Sequence, residues 1–386
     1  MGTPLRVVLA GGGTGGHLYP ALNLAEELAR VEGVRVMLVG ARRGIDAEVL
    51  PRRGHPYRLL PVEPLYRRRP WRNVRSAAAF LRSLLETDRI FAEFPPDAVV
   101  GTGGYAAAPV LTRAVRTGIP VAIQEQNSAP GITTRWFARR ADQVHLAYPE
   151  ARSRLRTRPG AKVTTYGNPI RWPAPPPSGE EARSALGLES GPVVLVVGGS
   201  QGARALNEAV AACVAQARAG ALPSLPGGTQ LYWVTGPAQA DPVARRLAEL
   251  GPLPWVRTVP YVDPMENALA VAMLAISRAG AMAVAEMCAW GVPMLLVPFP
   301  HAAGDHQRRN AEALAAAGAA RVWTQDAIER EPARLWKAVH GLLVDEPARR
   351  RMAEAARARG RTDAARRIAA DVVGLARDRA AVRGRG

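Results

Sequence analysis

Lysine is almost missing from this 386-residue chain. It occurs only at Lys162 and Lys337, so nearly all of the positive charge behind the formal net +18 is arginine. Arginine forks bind phosphate in two-pronged fashion and stay charged when partly buried. A chain this basic favours an anionic partner: nucleic acid, an anionic membrane surface or a phosphorylated substrate. Aromatic residues are scarce too, at 5%, which weighs against a nucleic-acid groove lined with stacking rings. The two cysteines, Cys213 and Cys288, lie far apart and form no metal-ligand spacing. Cys288 sits in an apolar helical stretch and reads as a buried, reduced thiol, which fits a reducing cytoplasm. No apolar run reaches the roughly 18 residues that cross a bilayer, and the N-terminus shows no secretory pattern. What remains is ordinary for a globular protein: 48% hydrophobic and 22% charged residues, with length enough for two domains.

Short apolar, β-branched runs alternate with helical patterns throughout. The first half predicts strands near residues 5–10, 34–39, 98–100, 121–124, 143–147 and 163–166. Between the first two, Leu18, Leu22, Ala25 and Ala29 recur at helical spacing and lay one apolar stripe on the sheet. The second half repeats the scheme near 193–197, 231–234, 256–259, 273–277, 294–297 and 320–323. Such alternation implies parallel sheets covered on both faces. A Pro/Ser/Gly-rich stretch at 173–179 marks the boundary. The expected fold is α/β: Rossmann-like domains over 1–170 and 171–359, with the active site in a cleft between them. An arginine-rich helix around 360–380, carrying Ile368, Val372 and Leu375, is expected to pack back on a domain.

Glycine-rich loops follow the strands in both halves. The first, Gly11 to Gly16 with Thr14, ends in His17. It contains G-x-G-x-x-G after a strand, so a dinucleotide site is one reading. That reading wants a carboxylate at the end of the second strand, where Arg42 and Arg43 stand, either of which could instead hold an NADP phosphate. The loop also brings backbone N–H groups close to negative charge. At a helix start His17 is kept neutral and able to accept a proton. Gly101-Thr102-Gly103-Gly104-Tyr105 and Glu125-Gln126-Asn127 end two further strands and point to the same rim. In the second half Gly198-Gly199-Ser200-Gln201-Gly202-Ala203 forms another anion cradle. Glu286, on an apolar helix after a strand, suits the hydroxyls of a ribose. A polar cluster of His301, Asp305, His306, Gln307 and Asn310 suits sugar hydroxyls. Asp-x-Asp is absent, and hard cations want several carboxylate oxygens. A leaving diphosphate would then meet backbone amides, a helix dipole and arginine, with Arg171 and Arg278 the expected contributors.

These motifs, with Gly167-Asn168-Pro169 and Arg171, stand in the order found in the MurG family, which the chain resembles from about residue 7 to about 325. The resemblance implies a GT-B fold and an inverting transfer of N-acetylglucosamine (GlcNAc) from UDP-GlcNAc; no metal or cofactor is expected. The acceptor would be the 4-hydroxyl of N-acetylmuramic acid in undecaprenyl-diphospho-MurNAc-pentapeptide (lipid I), giving lipid II for peptidoglycan synthesis. Donor contacts carry over to Thr14, Gly15, Gly16, Asn127, Arg171, Ser200, Val262 (through its backbone), Ala281, Met282, Ala283, Val284, Ala285, Glu286 and Gln307. Acceptor-side residues would be Gly103, Gly104 and Tyr105. His17 is the first choice of base and Glu125 the second, with a water between them the third. One member of the family has paired glutamines where this chain has His306-Gln307, which leaves the role of His306 open. A related GT-B transferase with another lipid or small-molecule acceptor would share the donor half but not all the N-terminal loops.

A lipid-linked acceptor calls for membrane contact without a span. The stretch from Leu65 to Arg72, with Arg68, Arg69, Trp71 and Arg72, then Phe80, Leu81, Leu84 and Leu85, mixes arginine with apolar residues in an interfacial pattern. Arg135, Trp136, Arg139 and Arg140 extend it. The expected location is therefore peripheral, on the cytoplasmic face of the cell membrane. Cell-wall synthesis proteins are expected partners and nucleic acid is not.

Overall fold

The computed structural model describes residues 4–64, 71, 73–199 and 202–383. Two compact units divide the chain: Met1–Arg171 with Thr362–Gly386, and Trp172–Arg361. In the first unit β1 (Leu5–Gly11), β2 (Val34–Ala41), β3 (Tyr57–Leu60), β4 (Ala98–Gly103), β5 (Val121–Glu125), β6 (Gln143–Leu146) and β7 (Lys162–Thr165) form one sheet. Its order is β3-β2-β1-β4-β5-β6-β7, with every neighbouring pair parallel. Helices cover both faces, so the central strands are continuous apolar runs; Val7, Val8, Leu9 and Ala10 are all fully buried. The chain winds outward from β1 to β3, then returns to lay β4 on the other side of β1. That reversal opens a crevice at the carboxyl ends of β1 and β4, the usual ligand position in an open α/β sheet.

The C-terminal helix Ala364–Arg383 belongs to this unit. Ile368, Val372 and Val373 pack with Leu22, Leu24 and Leu28 of the helix Gly15–Ala29. Each such buried side chain contributes about 1.5–3 kcal/mol. Polar contacts fix the register. Asp371 accepts from Lys162 Nζ at 2.6 Å, its carbonyl accepts from Gln143 at 3.0 Å, and Arg367 lies 4.0 Å over the Tyr166 ring. Beneath them His145 is sealed between Gln143 and Thr164, and burial holds its pKa down at about 4.

The second unit repeats the plan. Its strands are β8 (Val193–Val197), β9 (Gln230–Val234), β10 (Val256–Val259), β11 (Leu274–Ser277), β12 (Met294–Leu296) and β13 (Ala320–Val322), in the parallel order β10-β9-β8-β11-β12-β13. The order reverses between β8 and β11. The loops after those two strands, Gly198 onward and Arg278 to Gly280, therefore flank this sheet's own crevice. Cys213 and Cys288 are buried free thiols in its core, and desolvation lifts both to about 12.

Candidate active site

In the first unit two glycine loops interlock at the β1/β4 reversal. Gly104 has φ +75°, and a Cβ there would sit 2.1 Å from the Gly12 carbonyl oxygen. Gly13 has φ +84°, and a Cβ would strike the Tyr105 ring at 2.3 Å. Only glycine permits both the left-handed backbone and the approach. Behind the loop lies a residue the sequence reading passed over. Asp46 is fully buried and accepts from Gly13 N at 2.8 Å and Ala41 N at 2.6 Å. Burial raises its pKa, while those two amides and the nearby His17 pull the other way. A carboxylate after the second strand is where a dinucleotide fold keeps its ribose ligand. Here it is sealed inside and spent on the loop backbone, so it is not available to hold an NAD ribose. Thr14 occupies the N-cap of the helix Gly15–Ala29 without a side-chain cap bond, and no acidic residue sits in the first turn.

His17 lies in that first turn, half-buried. Its Nδ1 is 2.9 Å from Gln126 Oε1 and 3.1 Å from the Thr102 carbonyl. Both neighbours are acceptors, so Nδ1 carries the proton in the neutral ring and Nε2 keeps the lone pair. Thr102 Oγ1 donates in turn to the His17 carbonyl at 2.7 Å. Glu125 is differently placed. It is 2% exposed, with Oε1 accepting from Asn127 N (3.0 Å) and Nδ2 (3.2 Å) and Oε2 from Gly131 N (3.0 Å). Its charge organises the 126–131 turn, and Asn127, buried, has its side-chain amide on the same oxygen.

In the second unit the helix Ala281–Trp290 follows β11. Ala281 and Val284 are buried, Val284 in the core, while Met282, Ala283, Ala285 and Glu286 are half-buried. No hydrogen bond from the described residues reaches the Glu286 carboxylate. Desolvation raises its pKa to about 7, and the charge of Glu266 adds to the shift. Val262 is 7% exposed, its side chain likewise in the core. Gln307 Oε1 accepts from Phe299 N at 2.9 Å, and His306 Nδ1 donates to the Ala303 carbonyl at 2.6 Å. Arg278 departs from expectation. Its guanidinium is buried and donates to the carbonyls of Val297 (3.0 Å) and Pro298 (3.2 Å) and to Gln325 (2.8 Å). It ties down the turn after β12 rather than facing a phosphate; Arg171, by contrast, is exposed. Ser200 lies outside the described residues. Among the described residues no cluster of three His, Cys, Asp or Glu could hold a metal.

Two family models cover most of the chain: the glycosyltransferase family 28 N-terminal domain over residues 7–146 and its C-terminal domain over 193–368. The UDP-N-acetylglucosamine–N-acetylmuramyl-(pentapeptide) pyrophosphoryl-undecaprenol N-acetylglucosamine transferase of Chlorobaculum parvum is 39% identical, over 97% of this chain and 100% of its own. The same transferase of Moorella thermoacetica is 40% identical, over 93% and 96%. The chain belongs to this transferase family. Among solved structures, MurG of Acinetobacter baumannii matches with a TM-score of 0.74 and 26% identity, over 96% of this chain and 100% of that one. The two Rossmann-like units are accordingly the two domains of a GT-B glycosyltransferase.

In this MurG-family chain the long helix Asn73–Glu93 exposes only part of the apolar set named from the sequence. Phe80 and Leu84 are half-buried, whereas Val74, Leu81 and Leu85 are 75%, 62% and 64% exposed. Trp71 and Trp136 are also exposed. The buried face carries Ser76, Ser83 and Thr87. It tolerates burial because Ser83 and Thr87 donate to Ala79 and Ser83 carbonyls of their own helix, each at 2.7 Å. Arg68, Arg69 and Arg72 lie outside the described residues. Among the described residues no helix is long and apolar enough to cross a membrane.

Proposed function

We propose that this chain moves GlcNAc from UDP-GlcNAc onto the 4-hydroxyl of the muramyl sugar in lipid I, making lipid II for peptidoglycan. Membership of the family carries the reaction class. The observation that carries the chemistry is His17, whose Nδ1 faces two acceptors and whose Nε2 is left with its lone pair. The acceptor oxygen attacks the anomeric carbon from the face opposite UDP, its proton passes to His17 Nε2, and the bond from carbon to the diphosphate oxygen breaks. An α-linked donor thus yields a β-linked product. Glu125 shapes the turn beside the base instead of competing for the proton. Glu286 receives the two ribose hydroxyls, the backbone of Val262 reads uracil, and Gln307 presents its amide N–H groups to the sugar. The amides of Gly15 and Gly16, with Thr14, Arg171 and the Gly198–Ser200 loop, neutralise the leaving diphosphate without a metal.

The acceptor's diphosphate and muramyl sugar meet Gly103, Gly104 and Tyr105. Trp71, Val74, Leu81 and Leu85 rest in the headgroup region at the cytoplasmic face of the membrane, with arginines Arg75 and Arg82 beside them. A panel of acceptors tests the assignment: a short-chain lipid I analogue, undecaprenyl phosphate and a soluble muramyl peptide. Transfer confined to the first supports it. Equal transfer to an unrelated lipid or small molecule would place the chain with another GT-B transferase.

A further inference from the structure

We infer that Gln126 is a positioning residue that fixes the tautomer and orientation of His17, through a buried amide relay completed by Gln124 and Asn168. Its catalytic consequence rests on the reading of His17 as the base; its geometry does not. A glutamine can present either end of its amide, and here the surroundings choose. Gln126 Nε2 lies 2.7 Å from the Thr102 carbonyl, 2.9 Å from the Gln124 carbonyl and 2.6 Å from Gln124 Oε1. Three acceptors admit only an NH2 group, which leaves Oε1 facing His17 Nδ1 at 2.9 Å.

The next amide is oriented the same way. Gln124 Nε2 donates to the Glu125 carbonyl and to Asn168 Oδ1, both at 3.2 Å, so its Oε1 must point at Gln126. Asn168 Nδ2 donates to the Gln126 carbonyl at 3.1 Å and closes the ring. The three amides are 0%, 1% and 3% exposed for Gln124, Gln126 and Asn168. Flipping any one of them would strand a buried donor. The relay therefore holds an oxygen against Nδ1 permanently. It keeps the neutral ring in the Nδ1–H form, aims the Nε2 lone pair outward, and stabilises the imidazolium once Nε2 has taken a proton.

The test uses the full chain, with 15N side-chain resonances of histidine assigned by loss of signal in His17→Ala. Wild type is expected in the Nδ1–H form. Gln126→Ala removes one of two acceptors, so kcat should fall about tenfold or more, short of the loss of the base itself. KM for UDP-GlcNAc should hardly change, and the acid limb of the kcat profile should move to lower pH. Gln126→Glu keeps an oxygen against Nδ1 and should return that limb to the wild-type position or above it. It also carries the test if the alanine variant does not fold. An Nε2–H tautomer in wild type would overturn the inference. So would an unmoved acid limb and unmoved His17 resonances in Gln126→Ala, with His17→Ala inactive. Full turnover in His17→Ala would instead overturn the base reading, while the spectra still decide whether Gln126 sets the tautomer.

Discussion

Replacing Glu286 by glutamine should stabilise the protein and cripple donor binding in the same variant. The carboxyl of the free protein titrates near 7, against 4.5 ordinarily, because burial and Glu266 disfavour its charge. The unfolded chain releases that proton near 4.5 and the folded chain holds it to about 7. Between those values the folded state binds more protons, so stability is greatest at low pH and falls as pH rises through 7. A shift of this size amounts to at most about 3–4 kcal/mol above pH 7, since each unit is worth ~1.4 kcal/mol. Glu286→Gln carries no such penalty. Without nucleotide its melting temperature should exceed wild type at pH 8 by several degrees and match it near pH 4.5. Its affinity for UDP-GlcNAc should fall about 10- to 100-fold, because charge-assisted bonds to the ribose hydroxyls are worth ~1.5–3 kcal/mol. Wild-type affinity should also weaken below pH 7, as the carboxyl takes up its proton, and the variant's should not. Differential scanning fluorimetry and calorimetric titration over pH 5–8 read both effects. Parallel melting curves and equal affinities would refute the argument.

His17→Ala should lower kcat by ~10²–10⁴ with donor affinity intact; a loss under about tenfold, measured in single turnover, would remove it as the base. Leu81→Glu with Leu85→Glu should leave the melting temperature unchanged, because both side chains are exposed. The same pair should abolish cosedimentation with anionic vesicles, and raised salt should weaken the wild-type binding. Ile368→Ala empties a fully buried position between the C-terminal helix and the first sheet, and should cost about 2–5 kcal/mol in denaturant titration.

Much of both sheets was legible because buried parallel strands are unbroken apolar runs closed by glycine, as in β1 and β8. β3 escaped notice since it is a four-residue edge strand with Arg58 at its second position and is only partly buried. Asp46 was invisible for another reason. Its partner Gly13 lies 33 residues earlier, and no local pattern announces a carboxylate that serves a distant loop. That Phe80 and Leu84 are half-buried while Leu81 and Leu85 are exposed was not legible, because the helix Asn73–Glu93 buries Ser83 and Thr87, whose hydroxyls close on their own helix. Arg278 shows the limit of reading charge alone. A guanidinium after a strand looks free for phosphate until the carbonyls of Val297 and Pro298 appear beside it. The loops themselves were plain, since interlocking backbones at Gly13 and Gly104 admit no other residue.

The most direct test of the account is the linkage formed when purified protein, UDP-GlcNAc and a short-chain lipid I analogue react in EDTA. A β-linked GlcNAc on the 4-hydroxyl of the muramyl sugar, made at undiminished rate, is the predicted result. An α-linkage, attachment at another hydroxyl, or loss of turnover restored by a divalent ion would contradict it.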